Sequence, residues 1–138
     1  MRSIAAATTD AGSIVLITTQ SAVQPLMPQF AYGCSKAATD CLVRYAALEF
    51  GPRGIRVNSI QPDPIASSLS QAWFDLPGVE AAFAREVPLG RVGRPSDYAD
   101  AVLWLAGSPF VTGTNIPVSG GNQLSRLPRN DELPLAPI

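Results

Sequence analysis

Histidine is absent from all 138 residues, and Lys36 is the only lysine among ten basic side chains. Without an imidazole the usual metal ligand and the usual general base are missing. A Ser-His-Asp hydrolase is therefore excluded on one chain. Cysteine occurs twice, at Cys34 and Cys41. On one helix that spacing sets the backbones about 10 Å apart along the axis, too far for a disulfide between them. Two thiols without further ligands make no zinc site, so no metal is expected. They read instead as buried thiols in a reducing compartment. No apolar run approaches the roughly 20 residues that span a bilayer. Residues Met1 to Gly12 lack a signal peptide's apolar core, so a cytoplasmic location and no membrane partner are expected. Surplus charge is missing as well: the net charge is -1 and the pI near 5.2, which argues against a nucleic-acid partner held by electrostatics.

At 46% hydrophobic and 15% charged, the chain is too apolar for a disordered protein, and its length suits one domain. Ser13 to Thr18 is a continuous apolar and β-branched run, the pattern of a parallel strand buried on both faces. Thr19 to Gln29 is small, polar and proline-containing, hence a loop. From about Cys34 to Phe50 the period turns helical, with Cys34, Ala38, Cys41, Leu42 and Tyr45 on one stripe. Gly51-Pro52-Arg53-Gly54 stops that helix. Ile55 to Ile60 alternates and reads as a second strand, ended by Pro62 and Pro64. A short helix is expected over Val79 to Glu86. Another runs to Ala106, with Ser96 as its cap, Pro95 before it and Gly107 after it. Asn115 to Val118 is a third strand, and its internal Pro117 suggests a sheet edge. The proline-rich tail from Leu127 is expected to be extended and mobile unless a partner holds it. Strand, helix, strand, helix, strand is an α/β pattern with a parallel sheet.

The chemistry concentrates in Tyr32-Gly33-Cys34-Ser35-Lys36. Tyrosine and lysine at i and i+4 share one helix face, so the ammonium can sit close to the phenol. A nearby cation stabilises a phenolate, giving a general acid/base that needs no histidine. Taken alone, such a pair is common on helix surfaces. Its surroundings sharpen it: a Gly-Ser-Ile-Val strand runs into Thr18-Thr19-Gln20-Ser21. Thr19 lies thirteen residues before the tyrosine. After the helix come Gly-x-Arg-Val-Asn at 54–58, a proline turn, Gly-Arg-x-Gly-x-Pro at 90–95 and Ser119-Gly120-Gly121.

In this order the string resembles the C-terminal half of the classical short-chain dehydrogenases/reductases. The resemblance covers Gly12 to Gly121, leaving residues 122–138 as a tail. It implies a partial Rossmann-like, doubly wound parallel sheet of about three strands with a helix on either face. It implies an oxidoreductase that transfers a hydride between NAD or NADP and a small-molecule carbonyl or alcohol substrate. Tyr32 would be the acid/base, Lys36 would support it and hold the nicotinamide ribose, and Thr19 would orient the substrate, with Ser21 as its fallback. Pro62, Ile65 and Ser67 would lie at the nicotinamide. Asn58 matches a structural position of the family and reads as a residue satisfying backbone in a turn. The segment 67–87 lies where the family closes over substrate. There Trp73, Phe74, Leu76 and Phe83 would form an apolar lid or ordinary packing, with Trp73 and Phe74 the substrate-binding candidates beside Ser21.

Two departures stand out. Asp63 occupies a position where the family carries a glycine that permits close backbone approach, and it brings a negative charge. The family's Gly-rich diphosphate turn, which rests on a helix N-terminus, does not occur in these 138 residues. Residues Met1 to Ala11 resemble only the end of the helix before the family's fifth strand. The first strand is then expected to have a free edge, and the helix from Cys34 an exposed apolar face, because the resemblance puts that helix in a four-helix dimer interface. Self-association or a complementing chain is expected, with little activity from the isolated chain. The alternative is a non-catalytic interaction subunit derived from such a dehydrogenase.

Overall fold

The computed structural model describes residues 11–133. Readings that fall on residues 1–10 and 134–138 lie outside the described residues. In chain order the elements are β1 (Gly12–Ile17), α1 (Phe30–Phe50), β2 (Ile55–Pro62), α2 (Gln71–Phe74), α3 (Val79–Glu86), α4 (Pro95–Gly107) and β3 (Asn115–Val118). The strands form one parallel sheet in the order β1-β2-β3. Gly12 pairs with Ile55 at one end of the first ladder, and Ser59 pairs with Asn115 in the second. Parallel neighbours need crossovers, which α1 supplies between β1 and β2, and α4 between β2 and β3. This is the partial Rossmann-like sheet that the family resemblance implies.

Strand side chains alternate between faces, and the two faces pack differently. Ile14, Leu16, Ile55 and Val57 meet Val43, Ala46, Ala47 and Phe50 of α1. Val15, Ile60, Ile116 and Val118 meet Tyr98, Ala101, Val102 and Leu105 of α4. The sheet is thus a middle layer between two helices. β2 is buried along nearly its whole length, because it is the central strand and its polar side chains are partnered. β1 is half-exposed, and Ile17 is open to solvent. Its apolar run leads one to expect burial on both faces, but among the described residues it is an edge. β3, with Pro117, is the other edge, as expected.

α1 begins at Phe30, a turn earlier than its periodicity suggests, which puts Tyr32 in the first turn. Its buried stripe is Asp40, Val43, Ala46, Ala47 and Phe50. The stripe expected to be apolar faces outward: Leu42 is 44% and Tyr45 69% exposed, and neighbouring Leu48 80%. The helix has two apolar faces, and only one meets the sheet. Cys34 is exposed and Cys41 half-buried, both as free thiols, so the expectation of buried thiols fails for the same reason. Gly54 ends the turn after the helix in the left-handed region, φ 69°, where glycine is favoured.

The Gly-x-Arg-Val-Asn run is structural. The two terminal nitrogens of Arg56 donate to the carbonyls of Leu105 and Ala106 at 2.7 and 2.6 Å. A cation there satisfies the open end of α4 and its dipole. Asn58 is fully buried; its Nδ2 donates to the Val111 carbonyl at 2.9 Å, and its Oδ1 accepts from the Thr114 N–H at 3.2 Å. On the other face, Asp40 accepts from Gln61 at 2.7 Å and from Ser59 at 3.2 Å.

α4 starts at Pro95 with Arg94 as its cap, so Ser96 lies inside the helix and does not cap it. Asp97 takes that work: its carboxylate accepts from the Arg94 N–H at 2.7 Å and grips Arg91 at 2.7 and 2.9 Å. The tail also departs from expectation. Leu127 and Leu133 are buried against Phe74, Val79, Ala82 and Phe83. Arg126 pairs with Glu86 at 2.9 Å and Glu132 at 2.6 Å. Proline content suggests an extended segment, but two leucines give it an apolar surface to dock.

Candidate active site

The site forms at the C-terminal ends of β1 and β2, where open α/β sheets gather ligands. After β1, Thr18 ties the chain to β2: its N–H and Oγ1 both donate to the Ile60 carbonyl, at 2.9 and 3.1 Å. Thr19 Oγ1 then accepts from the Ser21 N–H at 3.2 Å and caps a short 3₁₀ turn over Gln20–Ala22. Against this turn docks the first turn of α1. A Cβ built on Gly33 would come within 2.8 Å of the Ser21 carbonyl oxygen. Glycine at this place lets helix and loop touch, and so brings Tyr32 beside Thr19 and Ser21. Lys36 follows one turn later. Its Nζ donates to the Ile17 carbonyl at 3.3 Å and lies 5.7 Å from the centroid of the Tyr32 ring.

The second wall descends from β2. Beyond Pro62 and Asp63, residue 65 forms an isolated parallel bridge with Gly93. Gly93 N–H donates to Pro64 O at 2.8 Å, and Ala66 N–H to Gly93 O at 3.0 Å. The bridge leaves the N–H of Ile65 itself unused. Tyr98 reaches up from α4, and its hydroxyl donates to the same Pro64 oxygen at 3.0 Å. A Cβ on Gly93 would fall 1.9 Å from that hydroxyl, so the glycine of the Gly-Arg-x-Gly-x-Pro run exists to admit the tyrosine. Ser70 closes the wall: its hydroxyl donates to Ile65 O at 2.6 Å and accepts from the Ser67 N–H at 3.0 Å.

The third wall is aromatic. Trp73 meets Phe83 edge-on at 4.9 Å and Phe74 at 5.4 Å, and Phe74 meets Phe83 at 5.6 Å. Phe74 and Phe83 are core residues as well as wall, so the lid and packing readings both describe them. Leu76 does not join the cleft; it lies on the far side, beside Pro77 and Glu80.

Together these walls enclose a cleft of 580 Å³. Thr19, Ser21, Tyr32, Lys36, Pro62, Ile65, Ser67, Trp73 and Phe74 all line it. These residues come from four separate stretches of chain, and the fold gathers every one of the predicted site positions. Sequence reasoning passed over Leu26 and Ser70, which also line it. Ser70 had a signal in its i+3 spacing from Ser67, the spacing of a serine-capped turn. Asp63 also faces the cleft. Burial pushes its carboxyl up to about 6, against the pull of the Ser21 hydroxyl, which donates to Oδ2 at 3.5 Å. Burial likewise pushes the Tyr98 phenol up, and the negative charge of Asp63 adds to that. Among the described residues no group of three or more metal-ligating side chains gathers, and no helix is long and apolar enough to cross a membrane.

The family model for enoyl-(acyl carrier protein) reductase matches residues 1–123. The chain belongs to the short-chain dehydrogenase/reductase family. Within it, the chain is 43% identical over 100 residues to a 3β-hydroxysteroid dehydrogenase of Eggerthella lenta, covering 70% of this chain and 38% of that protein. It is 32% identical over 112 residues to the human L-xylulose reductase, covering 80% and 46%. Its fold superposes on a short-chain type dehydrogenase/reductase from Mycobacterium ulcerans with a TM-score of 0.83 and 35% identity, over 92% of this chain and 46% of that one. A short-chain oxidoreductase from Pseudomonas aeruginosa, solved with NADPH bound and described as having an atypical catalytic center, gives 0.74 and 38%, over 83% and 47%. This short-chain dehydrogenase/reductase chain thus spans half or less of the length of these relatives.

Proposed function

We propose that the cleft is the substrate half of an NAD(P)-dependent oxidoreductase site, acting on a carbonyl or alcohol compound with a largely apolar body. The observation that carries this reading is the meeting of Thr19, Tyr32 and Lys36 in one cleft with an apolar wall opposite. The Tyr32 hydroxyl gives its proton to the substrate oxygen as a carbonyl is reduced, and takes it back in the reverse direction. The Lys36 ammonium, held by the Ile17 carbonyl, stabilises negative charge on the phenol oxygen. Thr19 sits in a rigid turn and offers its hydroxyl as donor to the same substrate oxygen. A bound nicotinamide would supply or accept the hydride. Lys36, Pro62, the free N–H of Ile65 and Ser67 suit the nicotinamide-ribose end. No Gly-rich turn for the diphosphate occurs in the sequence, and we infer that these residues alone hold the dinucleotide weakly and turn over little substrate.

The edge of β1 and the outer face of α1 are the surfaces on which we propose that assembly occurs. Among the described residues β1 offers an unpaired edge for further strands, and Leu42, Tyr45 and Leu48 offer an apolar face for a second copy.

Titration of the chain with NADH and with NADPH, followed by energy transfer from tryptophan to the nicotinamide, tests the cofactor reading. Weak saturable binding, abolished by Lys36→Ala, is expected; the same signal in that variant would place the dinucleotide elsewhere. Once turnover is obtained, Tyr32→Phe should lose it while keeping ligand binding. Retained turnover in that variant would reject the phenol as acid/base.

A further inference from the structure

We propose that Asp63 is a specificity-determining residue: its carboxylate accepts a hydrogen bond from a hydroxyl that the substrate carries beyond its reacting oxygen. The inference rests on the reading of the cleft as a substrate site and names the substrate class more closely, as hydroxylated apolar ketones or their diols. Its basis is the way this carboxyl is placed. Asp63 lines a cleft whose one wall is the apolar Leu26, Trp73, Phe74 and Phe83 and whose other side carries the polar Thr19, Tyr32 and Lys36. A carboxylate that is partly buried in such a cleft loses hydration and needs donors in exchange. The structure gives it one, the Ser21 hydroxyl, at the long distance of 3.5 Å. Among the described residues no arginine or lysine pairs with it. Acceptor capacity therefore remains open toward the cleft. The raised carboxyl, at about 6, is what such desolvation produces.

A neutral donor fits better than a cation. Lys36 lines the same cleft, and its ammonium would repel a second positive charge in a poorly hydrated space. The Thr19, Tyr32 and Lys36 side chains already serve the reacting oxygen. Asp63 with Ser21 is thus a polar point separate from the group at the reacting oxygen, in a pocket with one apolar wall, the arrangement that fixes a ligand's orientation.

The test compares three ketones of one shape: benzylacetone, its para-hydroxyl derivative and its para-aminomethyl derivative. Binding to the full chain is read from the indole N–H signal of Trp73 in the ¹H–¹⁵N spectrum, with Trp104, which lies outside the cleft, as control. The hydroxyl derivative is expected to bind about tenfold more tightly than benzylacetone, as one added hydrogen bond to a charged acceptor allows. Asp63→Ala should bring the two affinities together. Equal affinities in the unmodified chain would overturn the role of Asp63 while leaving the cleft as a ketone site. Tightest binding by the aminomethyl derivative would overturn the hydroxyl class. Movement of the Trp73 signal by none of the three would overturn the cleft reading and this inference with it. The preference in the unmodified chain stands whether or not the variant folds.

Discussion

Asp63 carries an energetic signature that follows from its burial. Its folded-state value of about 6 lies above its usual 3.8, so between those values the folded chain binds more protons than the unfolded one. Stability then falls as pH rises from about 4 to above 6. The groups facing it are the Ser21 hydroxyl and the Tyr98 phenol, with Tyr32 and Lys36 lining the same cleft. Asp63→Asn should remove that slope and gain on the order of 2–3 kcal/mol at pH 8, measured by urea unfolding at pH 5 and pH 8. An unchanged pH slope in the variant would refute it. Asp97 and Glu132 act in the opposite sense, each held down at about 2 by its arginine; their support is present above about 4.5 and lost as pH falls through 2. Gly93 is a steric case. Gly93→Ala drives a methyl into the Tyr98 hydroxyl, so about 2–4 kcal/mol of stability should be lost. Tyr98→Phe, which loses only the bond to Pro64, should cost about 1 kcal/mol. Equal losses from the two changes would mean that the hydroxyl bond, not the space, matters. At this scale much was legible in the sequence. Tyr32, Lys36 and Thr19 carry their spacing openly, and so does the motif containing Gly93. The reasons behind Gly33 and Gly93 were not legible, because a glycine's purpose lies in the distant atom it admits.

At the scale of elements, strand and helix positions followed from punctuation and period, as at Val79–Glu86 and Asn115–Val118, which fall where expected. What period could not decide was which face of α1 docks. Val43, Ala46 and Phe50 make one apolar stripe, Leu42, Tyr45 and Leu48 another, and only the sheet chooses between them. The buried Asp40 belongs to the docked face because Ser59 and Gln61 await it, a partnership that no local pattern displays. The segment after β3 misled for a related reason. Its prolines suggested extension, but Leu127 is buried in the same apolar cluster as Phe74 and Phe83 of the aromatic wall. Leu127→Ala should cost about 2–4 kcal/mol, and in the same variant the indole signal of Trp73 should broaden while that of Trp104 does not. Loss of stability with an unaltered Trp73 signal would separate this segment from the cleft.

At the scale of the molecule, β1 is the apolar edge of a three-stranded sheet, and α1 leaves Tyr45 and Leu48 uncovered. Sedimentation equilibrium should find more than one copy per particle at micromolar concentration, and Leu48→Glu should shift the balance toward monomer. A monomer across that range in the unaltered chain would count against assembly through α1. The strand order has one more effect. Because β1, β2 and β3 lie side by side in the sequence in which they are made, each new strand finds its neighbour already in place, and every crossover closes over nearby chain. The sheet can grow by accretion from its N-terminal side as the chain emerges from the ribosome. The segment that carries Leu127 follows β3 in the chain. A growing chain would therefore assemble the surroundings of Tyr32 and Lys36 before it firms the surface that a substrate rests on, so the cleft would pass from loose to fitted only after β3 has joined the sheet.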